Sequence, residues 1–470
     1  MINMGLMLLI LACLNVQTCA NDYDAILFKG KDYFIDVYNR LTPAWQEASK
    51  VATQWLDNLS GRVTPSSLCD SYSCCLVSNG DACSISNMPV GETTMVLAPE
   101  GSEATCIFGT QYGIQVIPGA SNEKLLFYFQ GGGACWDRAS IAAGMCTTDI
   151  SPNANAGVFD KGNEANPFKD YTVVHALYCS GDVHSGNVTQ NYKHLGKPVI
   201  QKGVANAKFA INWALQQGFG DGTLENLVVM GCSAGSVGAQ MWADTLLTSF
   251  PAKTVAVVPD SYAGLFPKDS VGPLMKNYGV CDTDLIAPAL KPSCYAGSLD
   301  IQHVVESHIA SYERSPFAYI QSKVDAVQQS FYIAVGLTTR GESAVITPAS
   351  FYAGVNEIFT GYNKFPNFIT YLVDGPMHCF TNMDVMYKAD NAGPEGKRHV
   401  RNPGQKELSM RDWLAQLPLT VGETVSTECV GALRESDISS SKEESGGAAE
   451  VDAYTYCDSN LLPKTFVHET

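Results

Sequence analysis

The chain has 470 residues, of which 46% are hydrophobic and 16% charged. That is apolar material enough for one large catalytic domain with insertions or for two ordinary ones, and it excludes wholesale disorder. With 30 Lys and Arg against 47 Asp and Glu, the formal charge is -17, so nucleic acid and anionic membranes are set aside as partners; net charge also lends no support to an acidic polymer as substrate.

Residues 1–20 read as a secretory signal. Residues 4–14 are an apolar run of h-region length, and Thr18-Cys19-Ala20 supplies small residues for cleavage before Asn21. The competing reading is a transmembrane anchor, but the run is short for a bilayer and has no basic flank. No later stretch is long and apolar enough to span, so a secreted, extracellular chain is expected. Cysteine usage agrees with export. Two of the 16 cysteines leave with the signal, and the remaining 14 read as disulfides in an oxidising compartment. No paired CxxC or HxxxH spacing suggests zinc, and no metal is expected. Connectivity cannot be deduced, although Cys135–Cys146 and Cys281–Cys294 are natural local pairs. Asn58-Leu59-Ser60 and Asn187-Val188-Thr189 are N-glycosylation acceptors.

Residues 21–94 form an N-terminal region expected to pack on the core. Phe34, Val37, Tyr38 and Leu41 mark one helical face, and Val51, Trp55 and Leu56 mark a second beyond Pro43. Residues 69–83 read as a disulfide-held loop. From 95 to 435 a catalytic domain is expected. Near-continuous apolar runs at 125–129, 171–174, 227–230, 255–258 and 368–373 alternate with helical segments, the pattern of strands buried on both faces of a sheet. Residues 265–316, with several prolines and a helical stretch from Asp300 to about Tyr312, read as a cap-like insertion. Residues 436–470 read as a flexible tail, with 436–450 polar and of low complexity, and Cys457 beyond them available to tie the end back.

Gly231-Cys232-Ser233-Ala234-Gly235 is the chain's one G-x-S-x-G. It follows an apolar strand directly and precedes a helical pattern with Val237, Met241, Leu246 and Phe250 that stops at Pro251. Strand, tight turn and helix are the setting of a nucleophile elbow, in which Ser233 is the nucleophile. Its base should follow in the chain. Of five later histidines, His303 and His308 fall in a helical pattern and are read as surface or cap residues. His399 lies in a basic run and His468 in the tail. His378 follows the strand 368–373, where α/β sheets place their sites. The acid stays open between Asp325, Asp260 and Asp374, the first two of which each follow a strand. Gln130-Gly131-Gly132-Gly133-Ala134 also follows a strand; its glycine amides are candidates for an oxyanion hole, with the Ala234 amide as second donor. No Gly-Lys-Ser/Thr or GxGxxG accompanies it, so no nucleotide is expected.

These pieces, together with 178–186, Asp260-Ser261 and Met377-His378-Cys379, occur in an order that resembles the pectin acetylesterase/Notum family over roughly residues 90–430. The resemblance implies an α/β-hydrolase fold with a mostly parallel sheet flanked by helices, and a carboxylic ester hydrolase. It implies that Ser233, Asp325 and His378 match the family triad, and that Gly132, Gly133 and Ala234 match the oxyanion positions. Trp136 and Asp260 are taken as candidate substrate contacts. The loop reads GGGACW where plant and animal members carry an aromatic after two glycines, and Gly181–Gly186, with His184, looks more like bacterial and protist members. Plant members deacetylate pectin and the animal branch removes a fatty acyl group from a protein; here small acyl esters, acetyl first and on a polysaccharide carrier, are the expected substrates. No cofactor is expected, and a monomer is. The rival readings are a serine lipase or peptidase on the same scaffold, and a non-catalytic, glycan-binding relative.

Overall fold

Sheet order decides where the site can lie. A computed structural model of the chain describes residues 65–77, 83–192, 196–340, 346–390 and 409–418. The expected signal, the helical faces within 21–60, the Asn58 acceptor, His399, His468 and the tail lie outside the described residues. Among those described, nine strands form one sheet in the order β1-β2-β3-β5-β4-β8-β9-β10-β11. They are β1 Ser73–Leu76, β2 Thr94–Leu97, β3 Gly113–Ile117, β4 Lys124–Phe129, β5 Thr172–Ala176, β8 Leu224–Cys232, β9 Ala252–Asp260, β10 Phe317–Ser322 and β11 Phe368–Val373. Every neighbour from β5 to β11 is parallel, whereas β3 runs antiparallel to both β2 and β5. A hairpin of β6 Val188–Gln190 and β7 Val199–Gln201 stands apart. This is the mostly parallel sheet of an α/β-hydrolase fold.

The apolar runs form strands because both faces of the sheet are covered. Successive side chains point to opposite faces. Phe127, Phe129, Leu227 and Val229 enter one apolar cluster, with Ala207, Ala210 and Ile211 of the helix Gly203–Gln216. Leu126, Tyr128, Val228 and Met230 enter the other, with Phe159, Phe168 and Trp413. Helices therefore flank both faces.

Three expectations change. Residues 69–83 are more than a loop: Pro65–Ser71 is helical, and β1 extends the sheet in parallel with β2. Cys69–Cys74 and Cys75–Cys83 anchor that strand from its two adjacent cysteines. The helical pattern after Ser233 divides into Ala234–Met241 and Ala243–Ser249 at Trp242, whose indole N–H donates to the His184 carbonyl at 2.8 Å. His308 is buried rather than a surface residue, and its Nδ1 lies 2.9 Å from the Gln240 carbonyl.

Cys135–Cys146 and Cys281–Cys294 are paired as the spacing suggested, joined by Cys106–Cys179 and Cys232–Cys379. Residues 265–316 carry the helices Val271–Asn277, Lys291–Ala296 and Ile301–Ser311. No helix among the described residues is long and apolar enough to cross a membrane.

Candidate active site

β8 delivers Ser233 at its C-terminal end with φ 58° and ψ -123°, between the strand and the helix Ala234–Met241. Few L-residues sit at positive φ unless their surroundings impose it. The flanking glycines explain how this bend is reached. A Cβ on Gly231 would collide with the Gly235 carbonyl, and one on Gly235 with the Phe129 carbonyl of the neighbouring strand. The Ser233 amide donates to the Asp260 carbonyl at 3.0 Å, which pins the bend to the end of β9.

Asp325 follows β10 and opens the helix Ala326–Arg340. Its carboxylate accepts the Val327 and Gln328 amides at 3.0 and 2.9 Å and the Gln328 side-chain N–H at 2.9 Å. These are donors left unpaired by the first turn of a helix, whose dipole also favours an anion there. His378, in the loop after β11, turns Nδ1 to the same carboxylate at 2.8 and 3.0 Å. Both side chains are buried. A carboxylate on Nδ1 fixes the tautomer and leaves Nε2 as the basic nitrogen. The buried ion pair of Lys323 with Asp374 ties the segment before Asp325 to the segment before His378.

The elbow and the His378 loop meet through sulfur. Cys232 precedes Ser233, Cys379 follows His378, and the two are bonded to each other. A ring nitrogen of His378 lies within 4.8 Å of both sulfurs. Metal ligation requires thiolates, and these two sulfurs are held in a disulfide.

The glycine loop leaves β4 with Gly132 at φ 155° and Gly133 at φ 72°. Thr147 and Met145 grip it: the Thr147 amide donates to the Gly132 carbonyl, and the Ala134 amide to the Met145 carbonyl. Among the described residues no backbone acceptor takes the amides of Gly132, Gly133 or Ala234. Gly133 and Ala234 border the same cavity as Ser233, whereas Gly132 does not line it, and a Cβ there would collide with Thr147 and Tyr178. His184 holds the start of the loop. It is buried, and Nε2 donates to the Gln130 carbonyl at 2.7 Å. Burial lowers its pKa to about 4, so the ring is neutral.

The cavity beside Ser233 has a volume of about 70 Å³. Its wall is apolar, with Trp136, Met241, Phe266, Leu274, Met275 and Phe331 prominent, and much of it comes from the 265–316 segment. Burial pushes the Tyr262 and Tyr278 hydroxyls well above their ordinary range, so both line it as neutral phenols. Trp136 is fixed there by an indole N–H bond to the Thr338 hydroxyl at 2.7 Å. Asp260, the other expected substrate contact, is not on this wall. It is fully buried, and its carboxylate accepts the Phe380 and Thr381 amides, the Thr381 hydroxyl and the Ser261 hydroxyl, each at 2.8 Å. Sequence reasoning missed the Cys232–Cys379 link, although both motifs, GCSAG and MHC, carry a cysteine next to the residue of interest.

A family model described as Pectinacetylesterase matches residues 85–346. Among solved structures the chain is similar to the Wnt deacylase Notum from Drosophila, at 16% identity and a TM-score of 0.47, over 64% of this chain and 90% of that one. No curated protein matches.

Proposed function

Since the chain belongs to the pectinacetylesterase family and is a carboxylic ester hydrolase, we propose that it cleaves O-acyl esters through a Ser233-His378-Asp325 triad and an acyl-enzyme. His378 Nε2 takes the Ser233 proton as Oγ attacks the ester carbonyl. Asp325 holds the imidazole by Nδ1 and stabilises the imidazolium. The Gly133 and Ala234 amides, which border the cavity with Ser233, donate to the oxyanion. The protonated imidazole then passes its proton to the leaving alcohol, and water attacks the acyl-enzyme by the same route. The observation that carries this reading is the buried Asp325–His378 pair, held on a loop whose next residue is bonded to the residue before the strained Ser233.

Acetyl esters on a polysaccharide are the first substrates to test. The cavity favours a longer acyl group as a second reading. Its volume of about 70 Å³ takes roughly five water-sized groups, and its wall is apolar, so several methylenes beyond an acetyl fit. In this scheme 265–316 acts as a cap over the acyl group. The disulfides support an oxidising, extracellular setting. The experiment is turnover of 4-nitrophenyl esters from acetate to octanoate by the wild type and Ser233→Ala. The variant should keep its circular dichroism and lose turnover of the whole series; turnover that persists undiminished would overturn the triad.

A further inference from the structure

Asp260 ends β9 in register with Cys232 of β8 and Ile320 of β10. Its backbone carbonyl receives the Ser233 amide, and its side chain receives the loop beyond His378. The two oxygens divide the work. Oδ2 accepts the Phe380 and Thr381 amides and the Thr381 hydroxyl; Oδ1 accepts the Ser261 hydroxyl, which in turn accepts the Cys379 amide at 2.9 Å. Three consecutive amides after His378 therefore close on one side chain and its neighbour. Ser233, Ser261 and Cys379 all have positive φ, between 58° and 69°. Three strained residues in one hydrogen-bonded cluster mark backbone held against its own preference, as happens where geometry is imposed for function.

We infer that Asp260 is a positioning residue for the ester hydrolysis: its buried carboxylate ties the backbone beyond His378 to the end of β9, where the Asp260 main-chain carbonyl holds the Ser233 amide. The inference rests on the triad proposed above. Asp325 sets the rotation of the imidazole, but it holds only the ring. Asp260 and Ser261 hold the main chain that follows the ring, at residues 379–381. Buried acceptors with four donors are costly to remove, and an error of about 1 Å in a reacting pair lowers a rate roughly 10²-fold.

The test uses the full chain and 4-nitrophenyl acetate, with Asp260→Ala, Asp260→Asn, Ser261→Ala, Ser233→Ala and His378→Ala. Asp260→Ala should lower kcat about 10²-fold with KM within about threefold, at unchanged near-ultraviolet circular dichroism. Asp260→Asn keeps an acceptor oxygen for the Phe380 and Thr381 amides and should recover part of the loss. On a His378→Ala background, Asp260→Ala should add nothing to the residual rate, because the group it positions is gone. A full further loss on that background would mean a general structural role and overturn the inference. A wild-type kcat in Asp260→Ala beside an inactive Ser233→Ala would overturn it while leaving the triad intact; an active Ser233→Ala would remove both. Should Asp260→Ala fail to fold, Ser261→Ala decides: it frees the Cys379 amide and takes from Asp260 Oδ1 its hydroxyl donor, and a kcat equal to wild type would overturn the inference.

Discussion

Cys232 and Cys379 are bonded to each other, and each is the chain neighbour of a proposed reacting residue, Ser233 on one side and His378 on the other. The bond closes a 147-residue separation and is buried among strand ends. Chain entropy assigns a loop of that size at most about 5 kcal/mol of stability. Five further disulfides remain among the described residues when it is removed. Cys232→Ala with Cys379→Ala should therefore lower the denaturation midpoint and still fold at 25 °C. Its kcat for 4-nitrophenyl acetate should fall about tenfold, as the two segments then rely on the Asp260 and Ser261 hydrogen bonds. Equal kcat in the double variant and the wild type would show that the link serves stability alone.

Asp325 does two jobs that one substitution separates. As acceptor for the Val327 and Gln328 amides it caps a helix, and as acceptor for His378 Nδ1 it orients the ring. Asp325→Asn keeps an oxygen for the cap but offers an N–H donor that competes for the imidazole and favours the wrong tautomer. Turnover should drop by about 10⁴-fold, with the melting temperature nearly unchanged. Asp325→Ala should lose the same activity and also about 1–2 kcal/mol of stability from the cap. A midpoint equally low in both variants would contradict this division.

The strands were legible because their residues are apolar on both faces, so 125–129 and 368–373 announce themselves without knowledge of their partners. The bend at Ser233 was legible because sterics leave only glycine at 231 and 235. Asp325 and Asp260 were not separable, since each follows a strand of the same kind. What distinguishes them is direction: one faces a helix start and an imidazole, the other two amides and a hydroxyl of a loop about 120 residues away. β1 escaped notice because Ser73-Cys74-Cys75-Leu76 has no β-branched residue, and its pairing is set by β2 and two disulfides. The cavity wall draws on six separated stretches, 133–136, 183–185, 233–241, 262–278, 301 and 331–335, which no local pattern reveals.

Acid should weaken the fold through buried imidazoles. Burial lowers His175 to about 3, with His184 nearby contributing, and lowers His184 to about 4. Both folded pKa values lie below the unfolded value of about 6.5, so the unfolded chain takes up protons first as pH falls. Their contribution is complete above pH 6.5 and declines toward pH 4, by up to about 1.4 kcal/mol per pH unit for each ring. Burial raises the Asp182 and Asp260 carboxyls, which works in the opposite sense, so the comparison must isolate one ring. The stability gap between wild type and His175→Asn, measured by urea unfolding, should narrow as pH drops from 7 to 4.5. A gap that is constant over this range would mean that His175 titrates normally in the folded protein.

The acyl cavity makes a prediction about chain length. Leu274 lies in the helix Val271–Asn277 of the 265–316 segment and is a buried part of the cavity wall. A larger side chain there subtracts cavity volume from an element that carries none of the proposed reacting or oxyanion groups, which come from the Ser233 bend and the glycine loop. Each lost methylene site in an apolar pocket is worth about 1–3 kcal/mol of transition-state binding, or roughly 10–200-fold. Leu274→Trp should therefore lower kcat/KM for 4-nitrophenyl octanoate at least about tenfold while acetate changes by less than about threefold. Equal losses on both esters would place the acyl group elsewhere, and equal retention would mean that the chain extends away from the 265–316 segment. Either outcome would leave the wall formed by Leu274 and Met275 without a role in selecting substrate.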